Sequence, residues 1–283
     1  MIRRFLEANG KLDPGHMMHV LGIHSIPGLD IHDPANNRHT RLVPLGAGPC
    51  AATLEFSGDG VLLECAGPPN DDVPELIQAV RSWLDLDTDL APVQAAFADD
   101  ELLAPLVGAR PWLRSVGYLN GFEAAATTIL GQQVSLAAGR TFGGRFVEAY
   151  GREAAEGLRN FPRPRDVLAE GVDALREAIG LTRARATTLF AMAESFAAKD
   201  FAAPGEFPLN REELLALRGV GPWTADYLQM RGRSDPDAFV PGDLVVRRAL
   251  NRVTEREAAQ LSAAWAPYRS YAMVHLWASD ATC

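Results

Sequence analysis

The chain has 283 residues, 47% of them hydrophobic and 22% charged, with a formal net charge of −9. A chain of this length can bury a large core and divide into two units, and the composition is that of an ordinary globular protein, neither disordered nor membrane-spanning. Three scattered cysteines, Cys50, Cys65 and Cys283, with no CxxC pair, are expected to be free thiols; they argue against a disulfide framework or zinc site and are too few for an ordinary iron–sulfur cluster.

The opening residues, MIRRFLEANG, are broken by charge before an apolar run of leader length develops, so the expectation is a cytoplasmic protein. Residues 40–66 read as strands, with Ser57-Gly58-Asp59-Gly60 as the hairpin turn between two β-rich runs. The period then becomes helical: Asp71 or Asp72 can cap a helix whose Leu76, Val80 and Leu84 share a face. From about residue 100 onward the pattern is helical throughout, in segments separated by Gly, Pro and Asn. The fold class is therefore mainly α, α+β overall: a small α+β domain over residues 1–100, then a helical domain over residues 101–283.

Charge is unevenly placed. The first hundred residues carry 6 basic and 15 acidic side chains, and the remainder carries 21 of each. An acidic total therefore leaves room for a locally basic face in the helical part. Lysine occurs only at Lys11 and Lys199.

The stretch NREELLALRGVGPWTADYLQMRG at 210–232 carries the most information. Asn210 is a good N-cap, and Gly219-Val220-Gly221 forces a tight reversal into Pro222, a residue favoured at the first helical position. Such a turn is either an ordinary αα-hairpin packed for stability or a cradle of unpaired N–H groups for a phosphate. In AFVPGDLVVRRAL at 238–250, Asp243 follows Pro-Gly and precedes an apolar run, so it reads as an N-cap. A carboxylate held there stays ionised, the state needed beside a cationic transition state.

Together with ILGQQVS at 129–135 and RSYAMVHLW at 269–277, these motifs resemble the helix-hairpin-helix, Gly/Pro-Asp superfamily of DNA glycosylases, in detail its bacterial 3-methyladenine DNA glycosylase II branch. The resemblance covers nearly the whole chain. It implies Asp243 as the catalytic carboxylate, a base pocket built from Trp277, Tyr227, Trp223 and Leu244, and double-stranded DNA containing alkylated bases as the partner. DNA contacts would come from Gln132, Gln133, Gly219, Val220, Gly221, Arg247 and Arg248; Arg231, Arg233 and Arg252 are further phosphate candidates. It also implies a monovalent cation on the backbone carbonyls of Leu215, Leu217 and Val220; no other cofactor is required. The protein is expected to be a nucleoid-associated monomer.

Bifunctional members carry a nucleophilic lysine where this chain has Trp223, so hydrolysis by water without strand cleavage is expected. Two departures from the family pattern stand out. Gln132-Gln133 occupies the place of a bulky apolar wedge, and Gly242 and Leu244 beside Asp243 imply a roomy pocket. A glycosylase for oxidised or deaminated bases, and a non-catalytic DNA-binding protein, are the competing readings. HxxH at His16 and His19 lacks an evident third metal ligand, and His275 reads as structural.

Overall fold

A computed structural model describes residues 2–66, 72–199 and 207–280; Asp71 and Cys283 lie outside the described residues. The N-terminal sheet is antiparallel in the order β1-β5-β4-β3-β2, from β1 (Ile2–Glu7), β2 (Asp30–Asp33), β3 (Arg38–Val43), β4 (Cys50–Ser57) and β5 (Gly60–Cys65). The hairpin falls where Asp-Gly places it: Ser57 pairs with Gly60 across the β4–β5 turn. The strands β1 and β2 lie outside the region read as β from the sequence. Their short runs carry charged and polar residues, and only pairing with β5 and β3 makes them strands.

Helix α1 (Pro14–His24), capped by Asp13, and α2 (Val73–Trp83) close the first core around Leu54, Leu63, Leu76, Val80 and Leu84. Asp72 stands at the N-cap of α2 without a side-chain cap bond. The β4–β5 pairing also brings the buried thiols of Cys50 and Cys65 to 2.8 Å, two residues that look remote in the sequence.

Helices α3 (Ala91–Phe97) and α4 (Leu103–Ala109) pack with the C-terminal part of the chain, burying Val93, Phe97 and Leu103 against Tyr227, Val246 and Leu276. The remaining core gathers α5 (Gly121–Leu130), α6 (Leu136–Tyr150), α7 (Pro164–Leu168), α8 (Gly171–Ile179) and α9 (Arg183–Ala197) around Ile129, Phe146, Leu175 and Leu189. The long helical pattern from 121 is interrupted at 131–135. Gln133 takes a left-handed φ of 55°, and Ser135 then caps α6 through the N–H of Ala138.

The helices α10 (Arg211–Ala216), α11 (Pro222–Gly232), α12 (Leu244–Ala249), α13 (Glu255–Leu261) and α14 (Arg269–Ser279) follow, and all but α13 contribute to the site described below. Among the described residues no helix is long and apolar enough to cross a membrane.

A buried ion-pair cluster joins the sheet to the helical part. Arg41 of β3 reaches both carboxylate oxygens of Glu123 on α5 at 2.9 Å, lies 3.6 Å from Asp30, and sits over the Trp83 ring. Burial pushes the Glu123 carboxyl up despite Arg41. Asp30, also pushed up by burial, is held low by the charge of Arg41 and its bond from His39.

Candidate functional site

The hairpin forms as its residues require. Asn210 caps α10 by accepting the N–H of Glu213, whose carboxylate accepts the N–H of Asn210 in return. Gly219 has φ +89°, and a Cβ there would lie 2.1 Å from Oγ1 of Thr188, so only glycine fits the reversal. Gly219, Gly221 and Pro222 are exposed. The buried Val220 donates its N–H to the Leu217 carbonyl, whereas the N–H groups of Gly219 and Gly221 meet no main-chain acceptor among the described residues. Likewise, no main-chain N–H among the described residues donates to the carbonyls of Leu215 or Val220. The turn thus offers free donors on its outer rim and free carbonyl oxygens beside them.

Asp243 caps α12. Its Oδ1 accepts the N–H groups of Val245 and Val246, each at 3.0 Å, and the indole N–H of Trp277 at 3.1 Å. Its Oδ2 accepts the indole N–H of Trp223 at 3.3 Å. The residue is 8% exposed, and no lysine or arginine forms an ion pair with it among the described residues. The carboxylate is therefore oriented by four neutral donors, three on one oxygen and one on the other. Its own charge remains available to a cationic neighbour.

The same two indoles bound an aromatic group. Trp223 stacks on Tyr227 at 5.0 Å with an 11° interplanar angle, and Tyr227 meets Trp277 at 6.3 Å. Trp223, Tyr227 and Arg231 stand four residues apart on one face of α11 and line a cavity of about 170 Å³. The structure thus brings Asp243, Trp223, Tyr227 and Trp277 together. Asp243, Leu244 and Trp277 are not among the cavity-lining residues, and the Leu244 side chain is 71% exposed at the start of α12.

The two glutamines have different surroundings. Gln132 donates from Nε2 to the Gly219 carbonyl and to Oγ1 of Thr224, both at 3.1 Å, tying the α5–α6 turn to the hairpin. Arg185 donates to the Gln132 carbonyl. Gln133 is exposed at the tip of that turn.

Of the arginines, Arg247 donates to the Val253 carbonyl, Arg248 pairs with Asp280 at 3.0 Å on the surface, and Arg233 leans on the carbonyls of Phe207 and Leu209. Arg252 sits in a left-handed turn. Arg231 is 6% exposed and faces the cavity, away from any phosphate path along the surface.

The lysines are engaged elsewhere: Lys11 with Asp59 in the β4–β5 turn, and Lys199 with Glu213 at 2.6 Å. His16 is buried against the Arg114 carbonyl, and His275 is buried inside α14.

Several cavity-lining residues carry no local signal in the sequence. Val20 and His24 of α1, His39 and Arg41 of the sheet, Trp83 and Tyr118 all reach the cavity through long-range packing. The N-terminal domain is thus part of the cavity wall.

Comparison with known proteins agrees with this architecture. Residues 5–120 match the AlkA N-terminal domain, and residues 126–262 match the HhH-GPD superfamily base excision DNA repair protein family. A Mycobacterium tuberculosis protein named "Probable bifunctional transcriptional activator/DNA repair enzyme AlkA" is 37% identical over 267 residues, covering 89% of this chain and 52% of that protein. The Escherichia coli "DNA-3-methyladenine glycosylase 2" is 31% identical over 182 residues, covering 63% of this chain and 64% of that protein. The chain thus spans about half the length of the first relative and somewhat under two thirds of the second. In fold it is similar to a 3-methyladenine DNA-glycosylase from Archaeoglobus fulgidus, with a TM-score of 0.81 at 21% identity over 98% of this chain and 97% of that one. With both domain types present in order and the Asp243 site inside the second, the chain belongs to the HhH-GPD superfamily of base-excision DNA repair proteins.

Proposed function

We propose that this protein is a monofunctional DNA glycosylase that flips alkylated bases out of double-stranded DNA and hydrolyses their N-glycosidic bond. The observation that carries this reading is Asp243, a buried carboxylate oriented by the indoles of Trp277 and of Trp223, the second of which also lines the neighbouring cavity. As the bond to the base lengthens, positive charge builds on the sugar. A fixed carboxylate with no cation of its own stabilises that charge. Oδ2 accepts a single hydrogen bond, so its remaining lone pairs can orient or deprotonate the attacking water.

Alkylated bases suit the cavity for two reasons. A positively charged ring stacks well on indole and phenol faces, and it departs without prior protonation. The lesions expected are 3-methyladenine and 7-methylguanine, with weaker release of 1-methyladenine and 3-methylcytosine, which are cationic and already poorly paired. The breadth of this range rests on aromatic stacking, which is indifferent to the position of a methyl group; the exposed Leu244 does not enter it. Trp223 at the lysine position, with Lys11 and Lys199 held in distant ion pairs, supports hydrolysis without strand cleavage.

On the DNA side, the free N–H groups of the 219–221 turn would hold a phosphate, and we assign the exposed Gln133 at the tip of the α5–α6 turn to the gap left by the flipped base. Arg247 and Arg248 lie on the helix that Asp243 caps, and we assign them to the flanking backbone. The free carbonyls of Leu215 and Val220, with that of Leu217, are a hard oxygen set suited to a monovalent cation, which would hold the turn's shape when bound. No other cofactor enters the scheme.

The deciding experiment is Asp243→Asn assayed on duplexes carrying one defined lesion, with abasic sites revealed by alkali. Base release is expected to fall on the order of a thousandfold while duplex binding is kept. Near-native release by this variant would remove Asp243 from the mechanism.

A further inference from the structure

Arg231 is a buried cation that its protein neighbours leave unmatched. It is 6% exposed, its Nε is enclosed without an acceptor, and no carboxylate pairs with it among the described residues. Arg41 shows what pairing looks like in the same cavity: it is bonded to Glu123 and lies beside Asp30. Arg231 has only the Tyr118 ring, 5.6 Å from its guanidinium carbon. A ring meets the charge at the guanidinium face and leaves the in-plane N–H donors without acceptors. A charge buried in that state is costly unless something that enters the cavity supplies the counter-charge.

The lining limits what that guest can be. Of its arginines and carboxylates, Arg41, Arg140 and Arg231 stand against Asp30 and Glu123, a surplus of one positive charge. Both carboxylates face Arg41, and Arg140, exposed, donates its Nε to the Ser25 carbonyl. His24 adds no further cation, because burial, and then the charge of Arg231, push its imidazole down to about 3. Few other donors are on offer. The hydroxyls of Thr127 and Thr128 donate back into α5, to the carbonyls of Glu123 and Ala124. Val20, Leu21, Val116 and Tyr227 make the neighbouring lining apolar or aromatic. A cavity of about 170 Å³ with one unpaired guanidinium and few other donors suits a compact, weakly hydrated ion of single negative charge. An anion with several strongly hydrated oxygens would leave most of them unserved.

We infer that Arg231 holds a monovalent inorganic anion of the halide class, in a binding site set into the cavity where the sheet domain meets the helical domain. The guanidinium N–H groups donate to the anion, and the Tyr118 ring stays against the guanidinium. The site is separate from the Asp243 carboxylate: Arg231 stands two helical turns, about 12 Å, along α11 from Trp223, the residue that touches Asp243. The site does not depend on the glycosylase reading, but it has a consequence that rests on it. With the anion bound, the charge of Arg231 no longer opposes a cationic ring stacked at the Trp223 end of the cavity.

The test uses the whole protein without DNA, so its failure is distinct from a failure of the glycosylase reading. Sodium chloride replaces sodium gluconate, a bulky and strongly hydrated anion, at constant ionic strength. The chloride-35 resonance is expected to broaden severalfold more with wild-type protein than with Arg231→Met, and added bromide should reverse the excess by competition. Once chloride exceeds its dissociation constant tenfold, the wild-type melting midpoint should stand about 3–6 °C above its value in gluconate, and Arg231→Met should lose that difference. Arg140→Gln, which removes the exposed charge, should keep both responses. Should Arg231→Met not fold, crystals of the wild-type protein soaked in sodium bromide decide the matter, with an anomalous peak expected beside the Arg231 guanidinium. Equal broadening with wild type and Arg231→Met, responses lost in Arg140→Gln, or bromide-soaked crystals with no peak at Arg231 overturns the site and leaves the guanidinium to water.

Discussion

Trp277 donates its indole N–H to Oδ1 of Asp243 at 3.1 Å across 34 residues of sequence, so one side chain both meets the Tyr227 ring and anchors the carboxylate. Trp223 does the same for Oδ2 from the hairpin side. Stacking surface and carboxylate orientation are therefore coupled, and a substitution can separate them.

Trp277→Phe keeps the ring and removes the donor. Base release is expected to fall about tenfold with little change in lesion binding, because the lost interaction is one hydrogen bond to a charged group. Trp277→Ala should weaken lesion binding as well, through loss of the aromatic face. Single-turnover rates at saturating enzyme, alongside binding titrations, separate the two effects; equal losses in both for Trp277→Phe would deny the coupling.

Gln133 stands at the tip of the α5–α6 turn with φ 55°. Gln133→Ala is expected to slow release from fully paired duplexes by about tenfold, while release from a lesion opposite an abasic analogue changes little, since no pairing then opposes flipping. Gln132→Ala should act differently, loosening the hairpin through loss of its bonds to Gly219 and Thr224. Its expected effect is weaker DNA binding on both duplexes. Indistinguishable behaviour of the two variants would remove the separate wedge role.

Borohydride should trap no covalent adduct between this protein and lesion-bearing DNA. Neither Lys11 nor Lys199 lies at the site; both are held in surface ion pairs. A trapped species that disappears in Lys199→Gln would place a nucleophilic amine in the mechanism and end the monofunctional reading.

Acid should destabilise the fold well above the carboxylate range. Burial pushes the imidazoles of His16 and His275 down to about 4. In the unfolded chain they titrate near 6.5, so between pH 6.5 and 4 the unfolded state binds more protons and stability falls as pH falls. The contribution is complete above pH 6.5 and is lost on acidification through that window, at no more than about 1.4 kcal/mol per pH unit for each histidine. Thermal melting at pH 7.5, 6, 5 and 4 checks this. His275→Asn, which lacks the titrating group, should flatten the slope; an unchanged slope would show that His275 takes up no proton on unfolding.

Local chemistry decided much of this protein in the sequence alone. Asp-Gly marked the β4–β5 turn, and the Gly219-Val220-Gly221-Pro222 run marked the hairpin. Asn210 and Asp243 were legible as caps because each needs only the next two or three N–H groups. Trp223 and Tyr227 share a face because four residues make about one helical turn. That same spacing extends to Arg231, whose place among charged neighbours in the sequence reads as surface. Burial beneath Tyr118 and the N-terminal domain is a property of packing, and periodicity does not report it. The same holds for Leu244, apolar and adjacent to Asp243 yet turned to solvent, and for β1 and β2, which become strands only by pairing. The bond from Trp277 to Asp243, the meeting of Cys50 with Cys65 and the bridge from Arg41 to Glu123 were decided by tertiary structure alone. Each joins residues that belong to different local units, and the energy that selects them comes from burying distant segments together.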